Sequence, residues 1–273
     1  KNSTLKMNLI KSSINFFVKL YSKILGILSP EQAWKLIASS QNNNIENLLI
    51  ESLCQQLEID QSFIEFGFSI KEFNCINLVK KKYKGLLLDF NKNNCKTINN
   101  IFYNLNYKTR AKNHWLTVDS LEPIIEFIRN NDNKLGVLSI DIDGNDYWIL
   151  KEILNFVKPE IIVTEYNASM GYRSITIPYE EDFERFEKHK LGLYHGASLS
   201  AFYNLLKNEY ILISNIEGLN LVFVHKNKYK NKYKNSNKNS NKYKNNNQSL
   251  KKINQVKKNK TVKRLIKFYL KNY

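Results

Sequence analysis

Apolar residues along this chain follow two different periods. From Leu9 to Leu28 the positions Leu9, Ile10, Ile14, Phe16, Phe17, Leu20, Ile24 and Leu25 recur at three- and four-residue steps around Lys11, Lys19 and Lys23, which predicts an amphipathic helix. Such a stripe covers the domain's own core, or lies on a membrane surface or a partner. Ser29-Pro30-Glu31 ends that helix and opens a second, with proline in its first turn. A third is predicted over Ile45–Leu57, with Asn44 as its cap.

Beyond residue 60 the pattern changes to short apolar runs: Phe63–Phe66, Gly85–Leu88, Leu116–Val118, Gly136–Ile142, Ile161–Thr164, Tyr210–Ile213 and Leu219–Val224. Helix-length amphipathic stretches such as Glu72–Lys81, Leu121–Asn130 and Tyr147–Phe156 separate several of them. That alternation predicts an α/β domain with a mostly parallel sheet covered by helices on both faces. The last two runs are joined only by Ser214–Gly218, too short for a crossover helix, so they are expected to close the sheet as an antiparallel hairpin.

Charge alters the picture only at the end of the chain. The 273 residues carry 42 Lys+Arg against 25 Asp+Glu, a net charge of +17. Residues 225–273 hold 17 of the basic residues and no acidic one, so the first 224 residues are electrically balanced. A uniformly basic nucleic-acid-binding domain is thereby excluded. The Lys/Asn/Tyr repeats over 226–250 have no apolar periodicity and predict a disordered linker. Residues 251–273, with Val262, Leu265, Ile266, Phe268 and Leu270 among lysines, predict a short basic amphipathic helix. Residues 1–58 then form a helical region packed on, or leading into, an α/β domain over 59–225. Cys54, Cys75 and Cys95 show no paired or metal-ligand spacing and read as reduced thiols. No apolar run reaches the 18 or more residues of a membrane span, and no signal peptide is read at the start, so a cytoplasmic or membrane-surface protein is expected.

In an open parallel sheet ligands collect beyond the carboxyl ends of the strands. Glu65, Gly67, Asp89, Asp141, Asp143, Asn145, Asp146, Glu165 and Asn167 stand at those ends. Asp89 closes the second strand, where a carboxylate can accept bonds from ribose hydroxyls. The segment LSIDIDGNDYWIL concentrates Asp141, Asp143 and Asp146, so like charges crowd unless a cation or backbone donors compensate. Two readings stay open. Asp141 and Asp143, with Glu165 from the next strand, can ligate Mg2+ or Ca2+, or Asp143-Gly144 makes a turn and Asp146 caps a helix. An EF-hand loop is excluded because Asp146 stands where its glycine is needed. His195, in YHGASLSAF before a predicted helix, can accept a proton from a hydroxyl substrate.

Residues 63–224 resemble the FkbM-like branch of the class I S-adenosylmethionine-dependent methyltransferases. The resemblance rests on FIEFG, YKGLLLDFN, HWLTVDSL, LSIDIDGNDYWIL, VTEYNASMG, IPYE, YHGASLSAFYNLL and the closing EYILI…GLNLVFV. It implies a Rossmann-like, seven-stranded, mostly parallel sheet with a closing antiparallel hairpin. It also implies S-adenosylmethionine as cofactor, bound by Glu65, Gly67, Ser69, Asp89 and Asp119. Transfer would go to a hydroxyl of a sugar, glycan or small metabolite, with Asp141 or His195 taking the proton. Asp143, Asn145, Glu165 and Asn167 would orient the acceptor or hold a cation. The sequence departs from the family after Gly67, where Phe68-Ser69-Ile70-Lys71-Glu72 replaces the small residues of a glycine-rich turn. Either Phe68 points away and Ser69 offers its hydroxyl, or the donor pocket is closed and the domain is a catalytically silent binding module. A third expectation takes residues 226–273 as a tether, with Tyr229, Tyr233 and Tyr243 among lysines for nucleic acid, or the terminal helix for anionic lipid.

Overall fold

In the computed structural model, residues 24–25, 27–41 and 44–230 are described. The predicted helix over 9–28 lies mostly outside them, and the C-terminal helix over 251–273 and most of the linker lie wholly outside. Residues 226–230 are helical, where composition predicted the linker to begin, and Lys228 pairs with Glu160 at 2.7 Å.

Two helices precede the sheet. Helix α1 (Pro30–Ser40) starts on a capping box in which Ser29 and Gln32 exchange side-chain and backbone bonds. In α2 (Ile45–Leu57) the Asn44 side chain accepts from the N–H groups of Glu46 and Asn47, as its position predicted. Trp34 of α1 meets Phe102 edge-on and Tyr107 at a tilt, and Ile37 and Ile50 are fully buried in the main core.

The strands are β1 (Ser62–Phe66), β2 (Lys84–Asp89), β3 (Thr109–Asn113), β4 (Val137–Ile140), β5 (Ile161–Glu165), β6 (Tyr210–Ile216) and β7 (Asn220–His225). They form one sheet in the order β3-β2-β1-β4-β5-β7-β6. β1 to β5 pair in parallel, and β7 runs antiparallel between β5 and β6. This is the seven-stranded, class I methyltransferase-like sheet with its closing hairpin. Every residue of β1 is buried because helices cover both faces. Phe63 points into the core shared with α1, α2, α3 (Ile76–Lys80) and α4 (Lys92–Asn104), while Ile64 points into the core of α5 (Glu122–Arg129), α6 (Asp146–Ile153) and α8 (Leu199–Leu206). A one-turn helix, α7 (Arg185–Lys188), lies in the long connection between β5 and α8.

Two local expectations change. The third strand is Thr109–Asn113, not Leu116–Val118. TRAKN is an edge strand that buries only Thr109 and Ala111, two small residues that leave no apolar run to read. The helix expected over Glu72–Lys81 shortens to α3, because Ser69 and Glu72 exchange both backbone bonds and hold the preceding residues in a tight turn.

Candidate functional site

The carboxyl ends of β1, β4 and β5 open into a cavity of about 460 Å3. The N-terminus of α2 (Asn44, Ile45, Glu46) and the β6–β7 turn (Ile216, Glu217, Leu219, Asn220) complete its wall, with Ser69, Glu72, Phe73 and Asn74 from the loop after β1. Glu46, Glu65, Glu72, Asp141, Asp143, Glu165 and Glu217 line it, and no Lys or Arg is among the lining residues. Of the residues expected at the site from sequence, Glu65, Gly67, Ser69, Asp141, Asp143 and Glu165 meet here.

Gly67 sits where β1 turns. Its N–H donates to the Leu88 carbonyl, its φ is +73°, and a Cβ on it would stand 1.6 Å from the Asp141 carbonyl oxygen. The need for glycine is therefore met first by the crossing of β4. Glu65 is buried at the floor, and its two oxygens accept from the N–H groups of Asn74 (2.6 Å) and Cys75 (2.9 Å) at the start of α3. Burial pushes its pKa up to about 7 against those two bonds. Glu46 is likewise pushed to about 7 by burial, although Asn220 donates to its Oε2 at 2.9 Å; its Oε1 has no partner.

Phe68 turns away from the cavity. It is buried with Ile70 and Phe73, ring centroids of Phe68 and Phe73 lying 6.3 Å apart, and it forms no part of the cavity wall. Ser69 faces the cavity and its Oγ accepts from the Lys71 N–H. Phe68→Leu is accordingly expected to lower stability by about 1–2 kcal/mol in denaturant titration while leaving ligand affinity of the cavity unchanged, since its cost is one of core packing.

At the end of β4 the chain turns through Asp143, whose φ is +58°, and the Asp146 carboxylate closes the turn by accepting from Ile142 and Gly144 N–H at 2.9 Å each. Asp146 thus staples the turn before α6, of which it is the first residue. Burial, then the neighbouring Glu165, raises its pKa to about 6. Asp141 is raised well above the usual carboxylate range by burial, and then by Glu165, Asp146 and Asp143. Arg185 of α7, which the sequence reading passed over, bonds Asp143 Oδ1 and stands 3.5 Å from Glu165 Oε1.

The remaining expected residues stand apart from the cavity wall. Asp89 is buried at the end of β2 and accepts from the Asn91 N–H at 2.6 Å; burial raises its pKa to about 6. Asp119 is exposed in the turn before α5. Asn145 donates to the Glu180 carbonyl, and Asn167 to the carbonyls of Leu193 and His195, so both pin the β5–α8 connection. His195 is thereby held behind Glu165, Nδ1 lying 3.5 Å from Glu165 Oε2. Glu46, Glu72, Glu217 and Arg185 were missed in the sequence because nothing local marks them: an acid in a first helical turn or a hairpin turn is ordinary there.

Strand order, hairpin and crevice define a class I methyltransferase-like fold. No family model and no curated protein matches the sequence. Among solved structures, the chain is similar to the bifunctional kinase-methyltransferase WbdD at 10% identity and a TM-score of 0.41, covering 67% of this chain and 39% of that one. It is similar to an O-methyltransferase from Bacillus cereus in complex with SAH at 13% identity and a TM-score of 0.45, covering 72% and 92%. A S-adenosylmethionine-dependent methyltransferase from Clostridium acetobutylicum is similar at 13% identity and a TM-score of 0.40, covering 78% and 99%.

Proposed function

We propose that this chain is an S-adenosylmethionine-dependent methyltransferase acting on a hydroxyl of a sugar, glycan or small metabolite. The observation that carries the reading is the place and charge of the cavity. It lies beside the β1–β4 pair, where the strand order reverses, and seven carboxylates line it without a Lys or Arg. Ligands of open α/β sheets bind at that reversal, and about 460 Å3 falls within the range of small-molecule sites. Sulfonium and ammonium are both cations and suit such a wall, in which Glu46 Oε1 and Glu165 Oε2 are buried acceptors without donors.

The cofactor, when bound, supplies an activated methyl group for in-line transfer to the acceptor oxygen. The chain's part is positioning and proton handling. Asp141, with its raised proton affinity, accepts the hydroxyl proton, since a carboxylate crowded by burial and like charge is a stronger base than a solvated one. Asp143 and Glu165 orient the acceptor, and Arg185 keeps both carboxylates in place. Glu65 acts through the loop: by gripping Asn74 and Cys75 it fixes the turn that presents Ser69. Asp89 and Asp119 remain assigned to the ribose and adenine sides by resemblance. The contact of residues 226–273 with nucleic acid or anionic lipid rests on their charge alone.

A second reading, a ligand-binding domain without methyl transfer, is favoured by the bond of Asp89 to its own turn and its place off the cavity wall. Calorimetric titration of the full chain with S-adenosylmethionine separates the two. Saturable micromolar binding, with methyl transfer lost in Asp141→Asn, is expected. Binding with no transfer across a panel of hydroxyl acceptors, or no binding of S-adenosylmethionine by folded protein, overturns the methyl-transfer reading and supports the second.

A further inference from the structure

His195 is 5% exposed, yet its Nδ1 has no hydrogen-bond partner. The atom nearest to it on an acidic group, Glu165 Oε2 at 3.5 Å, is also buried and without a hydrogen bond. A buried imidazole nitrogen and a buried carboxylate oxygen that face each other at that distance both lack what would satisfy them. One oxygen of Asp143 joins them: the three ligand atoms lie within 4.8 Å of one another. Two ligands of one ion at about 2.1 Å stand about 3–3.5 Å apart, so the His195–Glu165 pair is already at coordinating separation and only the exposed Asp143 carboxylate need close in.

The surroundings favour a cation. Asp141 lies near Asp143, Asp146 and Glu165, Asp146 also lies near Glu165, and Arg185 bonds Asp143 and approaches Glu165. Its guanidinium holds Asp143 Oδ1 and approaches Glu165 Oε1, which leaves Glu165 Oε2 on the side of His195. Three protein ligands come from three segments: the turn after β4, the end of β5 and the loop before α8. Asn167 fixes the third by donating to the His195 carbonyl at 2.9 Å.

We infer that Asp143, Glu165 and His195 form a binding site for a divalent first-row transition ion, at the edge of the acidic cavity. An imidazole with two carboxylates suits Mn2+, Fe2+ or Zn2+, whereas Mg2+ and Ca2+ take all-oxygen sets. This set differs from the one expected from sequence, in which Asp141 stood in the place of His195 and the ion was Mg2+ or Ca2+. Three protein ligands leave positions open toward the cavity that Asp143 and Glu165 also line. The site stands whether or not the chain transfers methyl groups.

The test is metal binding by the full chain after treatment with a chelator, followed by titration with Mn2+ read by electron paramagnetic resonance and with Co2+ read by visible absorption. One saturable equivalent per chain is expected, with at least tenfold weaker binding in His195→Gln and in Asp143→Asn. Asp143 is 56% exposed in its side chain, so Asp143→Asn keeps the fold if His195→Gln does not. Glu209→Gln, on the surface pair with Lys158, is expected to bind as the wild type. Absence of saturable binding by the folded wild-type chain overturns the assignment. So does equal affinity in the wild type and both variants, or displacement of Mn2+ by equimolar Mg2+. Titration with S-adenosylmethionine, run separately on metal-free protein, reports on the methyl-transfer reading independently.

Discussion

Gly67→Ala is expected to abolish the folded state. The added methyl would lie 1.6 Å from the Asp141 carbonyl oxygen and 2.7 Å from its carbon, both backbone atoms of a neighbouring central strand end. Neither can withdraw, because the Asp141 N–H donates to the Phe66 carbonyl and ties β4 to β1 at that point. The left-handed φ of +73° adds a further penalty of about 1–2 kcal/mol for any residue with a Cβ. The combined loss should exceed about 4 kcal/mol, in the exceptional range for one substitution. Denaturant titration of Gly67→Ala beside Gly218→Ala separates the causes. Gly218 shares the left-handed φ, at +83°, but a Cβ there meets nothing within 4 Å, so its variant should lose only about 1 kcal/mol. Equal losses at the two positions would show that backbone strain, not the approach of β4, demands glycine.

Glu46→Gln is expected to stabilise the protein at pH 8 and not at pH 4. The folded pKa of Glu46, about 7, lies above the ordinary 4.5, so folding favours the protonated acid. Its stabilising influence is then complete below about pH 4.5 and is lost as pH rises through 7. A difference of that size corresponds to about 3 kcal/mol between the two ends of the window. The local geometry agrees in direction: Glu46 Oε1 and Asn220 Oδ1 are both buried acceptors without donors, while Asn220 Nδ2 bonds Glu46 Oε2. Glutamine brings a neutral amide donor to that pair at every pH. Denaturation midpoints of wild type and variant across pH 4–8 should converge at the acid end and separate by up to about 3 kcal/mol at the other. Parallel profiles would place the titration elsewhere, Glu65 being raised to about 7 by the same burial.

Much of the architecture was legible because its signals are local. Buried parallel strands read as short apolar runs, and Asn44 and Ser29 announce helix starts through their own side chains. The β3 position was not legible, since an edge strand that buries only the small Thr109 and Ala111 carries little apolar pattern. The site divided along the same line. Residues at strand ends, Glu65, Asp141, Asp143 and Glu165, could be placed from the strands they close. Partners from elsewhere could not: Glu46 meets Asn220 across 174 residues, and Arg185 meets Asp143 across 42.

Phe68 shows the limit most plainly. Its bulk in a turn that the resemblance expected to be glycine-rich left its direction open, and only the packing of its ring into the Ile70–Phe73 core shows that it points away from the cavity. By itself the sequence determined an electrically balanced α/β domain whose last connection is too short for anything but a hairpin, because chain length and periodicity act within a few residues. Only the tertiary structure decided that seven carboxylates share one cavity, that Gly67 answers to β4, and that His195 and Glu165 face each other unsatisfied. Those relations depend on which strand lies beside which, and burial then sets the charge and bonding of groups that are distant along the chain.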